Sequence, residues 1–322
     1  MKFITLILPM ILGFIIDFIL GDPYWFPHPI RAIGNFISVM EKLIRRHMPS
    51  KLRAGGVILG LTTIFFSTSI PLIILLFSYR YNILIGLLIE SIMCYYIICP
   101  KCLKNESMKV YVTIAQKNIE KARKAVSMIV GRDTENLDKS GIIRATVETV
   151  AENTSDGVTA PLMYISVLGA VGGFFYKAVN TMDSMIGYTN EKYADIGRFA
   201  AKSDDFLNFV PSRITAVLMI FSAKILGLDS KNALKIWRRD RRNHASPNSA
   251  QTEAVCAGAL GIRLAGDAYY FGELHKKPFI GDNKRSIENE DIMRINKLMY
   301  MTSFLTLILG AVFRMVIWGA IL

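Results

Sequence analysis

The chain has 322 residues, 52% hydrophobic and 20% charged, with a formal net charge of +12 and a mean hydropathy of +0.35. Long uncharged runs at that composition exclude an ordinary soluble domain and point to a multi-span helical membrane protein. The excess of Lys and Arg sits in the polar stretches, where it reads as a topology signal; no helix-turn-helix, zinc-finger or aromatic RNA-binding signature accompanies it, so nucleic acid is not expected as a partner.

An α-helical span needs about 20 apolar residues. Residues 3–20 supply the first, with Asp17 inside and no small-residue cleavage site, so it reads as a retained helix rather than a signal peptide. Residues 54–78 are uncharged and interrupted only by Pro71, and 82–99 follow with Glu90 in the middle. Residues 100–140 read as an amphipathic helix stopped by Gly131. Residues 157–176 carry no charge but hold four glycines, which suits close helix packing or a re-entrant segment. Residues 214–228 are apolar but short and contain Lys224, and 299–322 form a last span with Arg314 inside. The expected fold is all-α: one polytopic membrane domain over 1–322, with about four to six membrane-embedded helices joined by cytoplasmic helical loops.

A charge at mid-bilayer costs about 2.5–3.5 kcal/mol, so Asp17, Glu90 and Arg314 should face the bundle interior or lie near an interface, Glu90 and Arg314 as structural pairing groups. The polar segments 21–53, 100–156 and 229–298 hold most of the Lys and Arg and are expected on the cytoplasmic side, with the N-terminus outside. If 157–176 folds back, 177–213 shares that side. Of the four cysteines, Cys99 and Cys102 make a lone CxxC without a second pair or a nearby His; with Cys94 and Cys256 they read as reduced thiols, not a zinc site.

Several polar clusters are dense in special residues. In GDPYWFPHPIRAIGN, 21–35, three prolines fix a turn-rich backbone carrying Asp22, His28, Arg31 and Asn35, with Tyr24, Trp25 and Phe26 as interfacial anchors. RATVETVAENTSDG, 144–157, sets Arg144, Glu148, Glu152 and Asp156 at four-residue steps on one side of a helix, with Ile143, Val147, Val150 and Ala151 on the other. Like charges at that spacing repel, so the pattern does not serve the helix itself. Asn153, Ser155 and Gly157 punctuate its end. The stretch 176–205 offers Lys177, Asn180, Asp183, Ser184, Tyr188, Asn190, Asp195 and Arg198 with little apolar mass to bury. In 238–261, Arg238, Arg239, Arg241 and Arg242 precede His244, Asn248 and Glu253, and arginine clusters bind phosphates and carboxylates bidentately. Lys276 and Lys277 stand in a fifth cluster, 267–282. P-loop, GxGxxG and HExxH motifs are absent. Carboxylate-rich segments beside Arg- and Lys-rich ones suggest Mg²⁺ and a phosphorylated substrate, and no more specific reaction.

These clusters, in this order, resemble the adenosylcobinamide-phosphate synthase family (CbiB/CobD) of cobalamin biosynthesis. The stretches that carry the resemblance are GDPYWFPHPIRAIG, RATVETVAENTSDGVTAPL, KAVNTMDSMIGY, ADIGRFAAKSDD, NFVPSRITA, HASPNSAQTEAVCAGALGIRL and YFGELHKKPFIGD, collinear from residue 21 to 282. One departure is Gln251-Thr252, where the family usually has an X-Pro pair before the glutamate. The resemblance implies a multi-pass enzyme of the inner (cytoplasmic) membrane, embedded in lipid, with its site facing the cytoplasm. It would join the corrinoid adenosylcobyric acid to aminopropanol or aminopropanol phosphate through an amide, driven by ATP and Mg²⁺ through an acyl phosphate. The resemblance supplies that reaction; the roles come from residue chemistry. Glu148, Glu152 and Asp156 are expected to hold Mg²⁺. Arg144, Lys177, Arg198 and Arg241 or Arg242 would offset the transferred charge, and His244 or Asp183 would take the amine's proton. Asp22, His28, Arg31, Asn153, Asn180, Asn248 and Glu253 complete the expected substrate-binding set. A transporter would show paired broken helices in corresponding halves, and a regulatory protein of the same fold would not need so many polar motifs. A homo-oligomer is left open.

Overall fold

The apolar runs become long helices in a computed structural model, which describes residues 2–23 and 25–321. The helices are α1 (Lys2–Leu20), α2 (Pro29–His47), α3 (Leu52–Tyr81), α4 (Ile83–Ile97), α5 (Pro100–Ala115), α6 (Ile119–Ser127), α7 (Lys139–Asn153), α8 (Ala160–Ile186), α9 (Arg198–Leu207), α10 (Phe209–Ile225), α11 (Ser230–Asp240), α12 (Ser249–Leu260) and α13 (Asp291–Ile321). A π-helical turn, Thr154–Thr159, joins α7 to α8. Sheet is confined, among the described residues, to two short antiparallel pairs: β1 (Leu264–Ala265) with β4 (Phe279–Ile280), and β2 (Ala268–Tyr270) with β3 (Glu273–His275). The fold is therefore all-α, as expected.

Four helical stretches are long and apolar enough to cross a membrane: Leu52–Tyr81, Ile83–Ala115, Lys139–Ile186 and Asp291–Ala320. α9 and α10 make a fifth if their 47° bend lies within one span, and Thr5–Leu20 is a shorter apolar helix. The single amphipathic helix expected over 100–140 is instead two. Lys117 adopts φ 57°, which ends α5, and Asn118 Oδ1 accepts from Lys121 N to start α6. α6 ends at Ser127, short of Gly131. Side-chain periodicity carries across such a break, so the pattern alone did not reveal it.

The chain forms two compact units: one holds the residues up to Cys99, Ala160–Asn208 and those from Leu307 on, the other Pro100–Thr159 and Phe209–Thr306. The first unit has a core of Ile37, Ile44, Leu59, Val179, Met182, Ile186, Ile196 and Ala200. Within it α8 is broken at Leu168-Gly169, and Gly169 takes φ 65°, ψ −159°, a region that only glycine visits readily. Both loose ends of the break are sealed. Ala170 N–H donates to Glu90 Oε1 at 3.3 Å, and Tyr79 Oη donates to Glu90 Oε2 at 2.5 Å. Arg314 Nη1 donates to Ile165 O at 3.0 Å, its Nε to Leu6 O at 2.7 Å, and Trp318 Nε1 to Val167 O at 2.9 Å. Glu90 and Arg314 are thus interior structural groups, and Asp17 is fully buried.

The second unit is built round α12, every residue of which is buried. Its Ala, Gly and Ser residues let α11 approach closely: a Cβ on Gly258 would lie 2.6 Å from Ala233 Cα. Asn232 Nδ2 donates to Gly258 O at 2.7 Å across that contact. α7 starts at Asp138, whose Oδ1 accepts from Gly141 N at 2.7 Å, a bond that, more than any other influence, holds this carboxyl below its usual range. The β2–β3 turn places Phe271 (φ 52°) and Gly272 (φ 81°) in left-handed conformations, as two-residue hairpin turns require. Asp133 pins that turn, accepting from Gly272 N at 2.7 Å and Phe271 N at 3.2 Å.

Candidate active site

Glu148, Thr149 and Glu152 on α7 line a cavity of about 90 Å³ in the second unit, together with Gly131 and Arg132, His244, Glu253 on α12, and Ala265, Tyr270 and Lys277 of the strand region. Residues far apart in sequence meet here because α7 and α12 pack side by side and the strands fold over them. Glu148 is nearly buried and fully engaged. Its Oε2 pairs with Arg132 Nη2, and its Oε1 accepts from Ala265 N at 2.6 Å. That second bond holds Ala265 at φ 57°. Burial opposes the charge on Arg132, but the field and hydrogen bond of Glu148 outweigh it and raise its pKa. Glu152 Oε1 accepts from Ser249 Oγ at 2.6 Å.

Glu253 is buried, and that burial, then repulsion from Glu152 and Glu148, pushes its carboxyl well above the usual carboxylate range. His244 moves the other way: burial lowers its pKa, although Glu152 partly offsets this. Its Nδ1 accepts from Ser246 N at 3.0 Å, so the neutral imidazole carries its proton on Nε2. Lys277 Nζ donates to Tyr270 Oη at 2.7 Å and stands 4.5 Å from the centre of that ring. The cavity therefore holds three carboxyl groups, two cations and a neutral imidazole. Among the described residues, no three His, Cys, Asp or Glu side chains gather as a group able to hold a metal ion by themselves.

Of the residues singled out from sequence, Glu148, Glu152, His244 and Glu253 come together. Asp156 lies half-buried in the π-helical turn and is not among the cavity's lining residues. Asn153 turns its amide back to Thr149 O at 3.0 Å. Arg144 is half-buried, and its Nε lacks a hydrogen-bond partner. Asn248 Oδ1 accepts from Arg213 Nη1 at 2.8 Å and from Ser212 Oγ at 3.2 Å. Arg241 and Arg242 line a neighbouring cavity that also touches His244. Gln251, at the departure from the usual X-Pro pair, accepts from Trp237 Nε1 at 2.9 Å and donates to Arg241 O and Pro247 O at 3.2 Å each.

Asp22, His28, Arg31, Lys177, Asn180, Asp183 and Arg198 belong to the other unit. There His28 Nδ1 accepts from Ile30 N at 3.2 Å to cap α2, and its Nε2 lies 3.4 Å from Asp22 Oδ1. Arg31 Nη2 donates to Phe26 O at 2.6 Å, and Tyr95 Oη to Gly21 O at 2.5 Å. These residues fix the loop's backbone. Trp25 is 82% exposed, as an interfacial anchor would be, and Tyr24 lies outside the described residues. Asn180 Nδ2 donates to Asp204 Oδ1 at 3.3 Å, while Arg198 opens α9 on an exposed face. Arg132, Tyr270 and Ser249 were not singled out from sequence. A lone Arg in a basic chain, a Tyr in a hairpin and a Ser before a helix carry no pattern that marks them.

The profile of the family described as CobD/Cbib protein matches residues 10–299. A curated relative, "Cobalamin biosynthesis protein CobD" of Clostridium perfringens, is 48% identical over 308 residues, 96% of this chain and 98% of that one. Proteins of the same description from Pelobacter propionicus (44% over 292 residues, 91% and 90%) and Citrobacter koseri (41% over 316 residues, 98% and 99%) are also similar. No solved structure matches the chain.

Proposed function

The chain belongs to the CobD/CbiB family of cobalamin biosynthesis proteins, and from that premise we propose that it is an ATP-dependent amide ligase joining adenosylcobyric acid to aminopropanol or its O-phosphate. The observation that carries this reading is the small cavity where Glu152, Glu253 and His244 meet Lys277. A carboxylate does not form an amide at neutral pH without a leaving group. Transfer of the γ-phosphoryl group to the substrate carboxylate releases ADP and leaves an acyl phosphate. The amine nitrogen then attacks the acyl carbon, the C–O bond to phosphate breaks, and one proton leaves the nitrogen.

Each step has a group suited to it. Lys277, held by Tyr270, presents its ammonium to phosphoryl oxygens, whereas Arg132 is committed to Glu148. Glu152, with one oxygen anchored by Ser249, takes the proton from the attacking nitrogen through the other. His244 has its hydrogen on Nε2 and acts on the cavity as a donor, to the oxygen that gains charge as the carbonyl is attacked. Mg²⁺ takes one or two protein carboxylates and completes its shell with phosphate oxygens and water, and it would neutralise phosphate charge here. Glu253 would hold it: a divalent cation relieves the repulsion that raises this buried carboxyl.

We propose that the site faces the cytoplasm from the inner membrane, because ATP is cytoplasmic and basic segments favour that face. A cysteine at exposed Lys276, with the four native cysteines replaced, should react with an impermeant thiol reagent in inverted vesicles and not in intact cells. The reaction itself is tested by incubating purified protein with adenosylcobyric acid, each amine, and Mg²⁺ with or without ATP. Amide product that requires ATP supports the reading. No amide with either amine, from protein that still folds, rejects it.

A further inference from the structure

We infer that Arg213, Arg241 and Arg242 form a phosphate-binding subsite beside the carboxylate cavity, with His244 between the two. A second cavity of about 480 Å³ in the same unit is lined by these three arginines with His244, Pro247 and Gln251 among its walls, and none of its lining residues is acidic. Three guanidinium groups around one space repel one another unless an anion shares it.

Four other arginines of the unit have carboxylate partners. Arg132 is paired with Glu148, Arg239 with Asp240 and Asp282, and Arg285 and Arg294 with Asp291. Among the described residues, Arg213, Arg241 and Arg242 have no carboxylate within salt-bridge distance. What sets them apart is that all three line one cavity whose walls hold no acidic side chain.

Two of the three are also held in place before any ligand arrives. Arg213 Nη1 donates to Phe209 O at 2.7 Å and Asn248 Oδ1 at 2.8 Å, its Nη2 to Pro247 O at 3.1 Å, and its guanidinium lies 3.7 Å from the Phe209 ring centre. Arg241 lies over the Trp237 ring at 5.0 Å, and Trp237 is fixed by Gln251, whose amide also holds the Arg241 and Pro247 carbonyls. Fixed guanidinium groups with unused N–H donors match the geometry of phosphate oxygens. Arg242 is exposed and lines the same cavity. The cavity accommodates a phosphate group with part of the ester that bears it. His244 lines both compartments, the arginine-rich one and the one that carries Glu148, Glu152 and Glu253 beside Arg132 and Lys277.

The anion subsite stands on this geometry alone; which phosphate ester fills it rests on the ligase reading. Binding of ATP, aminopropanol O-phosphate and inorganic phosphate to the purified full chain is measured for wild type, R242A, R242K and R241A. R242A and R241A should each weaken at least one of the three ligands about 10-fold or more, and R242K should recover part of the loss. Loss confined to ATP makes the subsite the nucleotide's, and loss confined to the amine phosphate makes it the acceptor's; both support it. Arginine-dependent phosphate binding in a protein that forms no amide would keep the subsite and remove the ligase reading. Unchanged affinity for all three ligands in folded R242A and R241A overturns the inference.

Discussion

Arg132 and Glu148 form an ion pair in the wall of the carboxylate cavity, and the same Glu148 takes the Ala265 N–H at 2.6 Å. One carboxylate therefore joins α7, the loop before it and the first strand.

Breaking that pair leaves a charge with little water around it. Arg132→Ala is expected to destabilise the protein by about 3 kcal/mol or more, read from unfolding in detergent. Replacing both partners by Met should cost less than either single change, because no buried charge then remains. Equal stability of wild type and R132A would mean that water reaches Glu148 freely.

Glu152 and His244 divide the proton chemistry. Glu152→Gln should lower kcat for amide formation by about 100-fold or more while leaving ATP affinity near wild type. His244→Gln keeps an N–H donor and should retain more activity than His244→Phe. If H244F and H244Q turn over equally, the imidazole donates nothing to the reaction.

Glu253 should give stability a pH dependence with a definite sign. Its folded pKa is raised above the unfolded value, so the folded state binds more protons. That contribution is complete below the ordinary glutamate value of about 4.3 and is lost as pH rises towards the folded pKa, by at most about 1.4 kcal/mol per pH unit. Between about pH 5 and about pH 8, the melting temperature of wild type should fall relative to that of E253Q. Parallel curves would show that Mg²⁺, a bound ligand or water already compensates the charge.

Gly169→Ala tests the break in α8. The glycine's φ of 65° is strained for any other residue, and an added Cβ would lie 2.5 Å from Glu90 Oε1. A loss of about 1–3 kcal/mol from the backbone alone is expected, with a smaller folded fraction on size exclusion. An unaltered melting curve would mean that the break closes into continuous helix at no cost.

The long spans were legible because composition decides them: nothing but a buried or lipid-facing helix suits 54–78 or 299–322. Four glycines marked 157–176 as unusual, yet which one breaks the helix depends on Glu90 and Arg314 arriving from α4 and α13. Glu148, Glu152, His244 and Glu253 were legible as dense motifs. Asp22, His28 and Arg31 were legible as a polar cluster on a proline-rich turn. A proline-rich loop needs the same caps and backbone donors that a binding site uses, and sequence does not separate the two roles. Arg132 was not legible, since its meaning lies wholly in its partner.

The seal on α8 also sets an order of events during biosynthesis. Its first half and its kink leave the ribosome well before Arg314 and Trp318, the groups that cover the exposed carbonyls of Ile165 and Val167. Glu90, by contrast, is already present when Ala170 emerges. The nascent chain therefore carries a half-covered backbone gap inside an apolar helix until α13 joins it. Arrival of α13, rather than insertion of α8 itself, is the step that closes the gap.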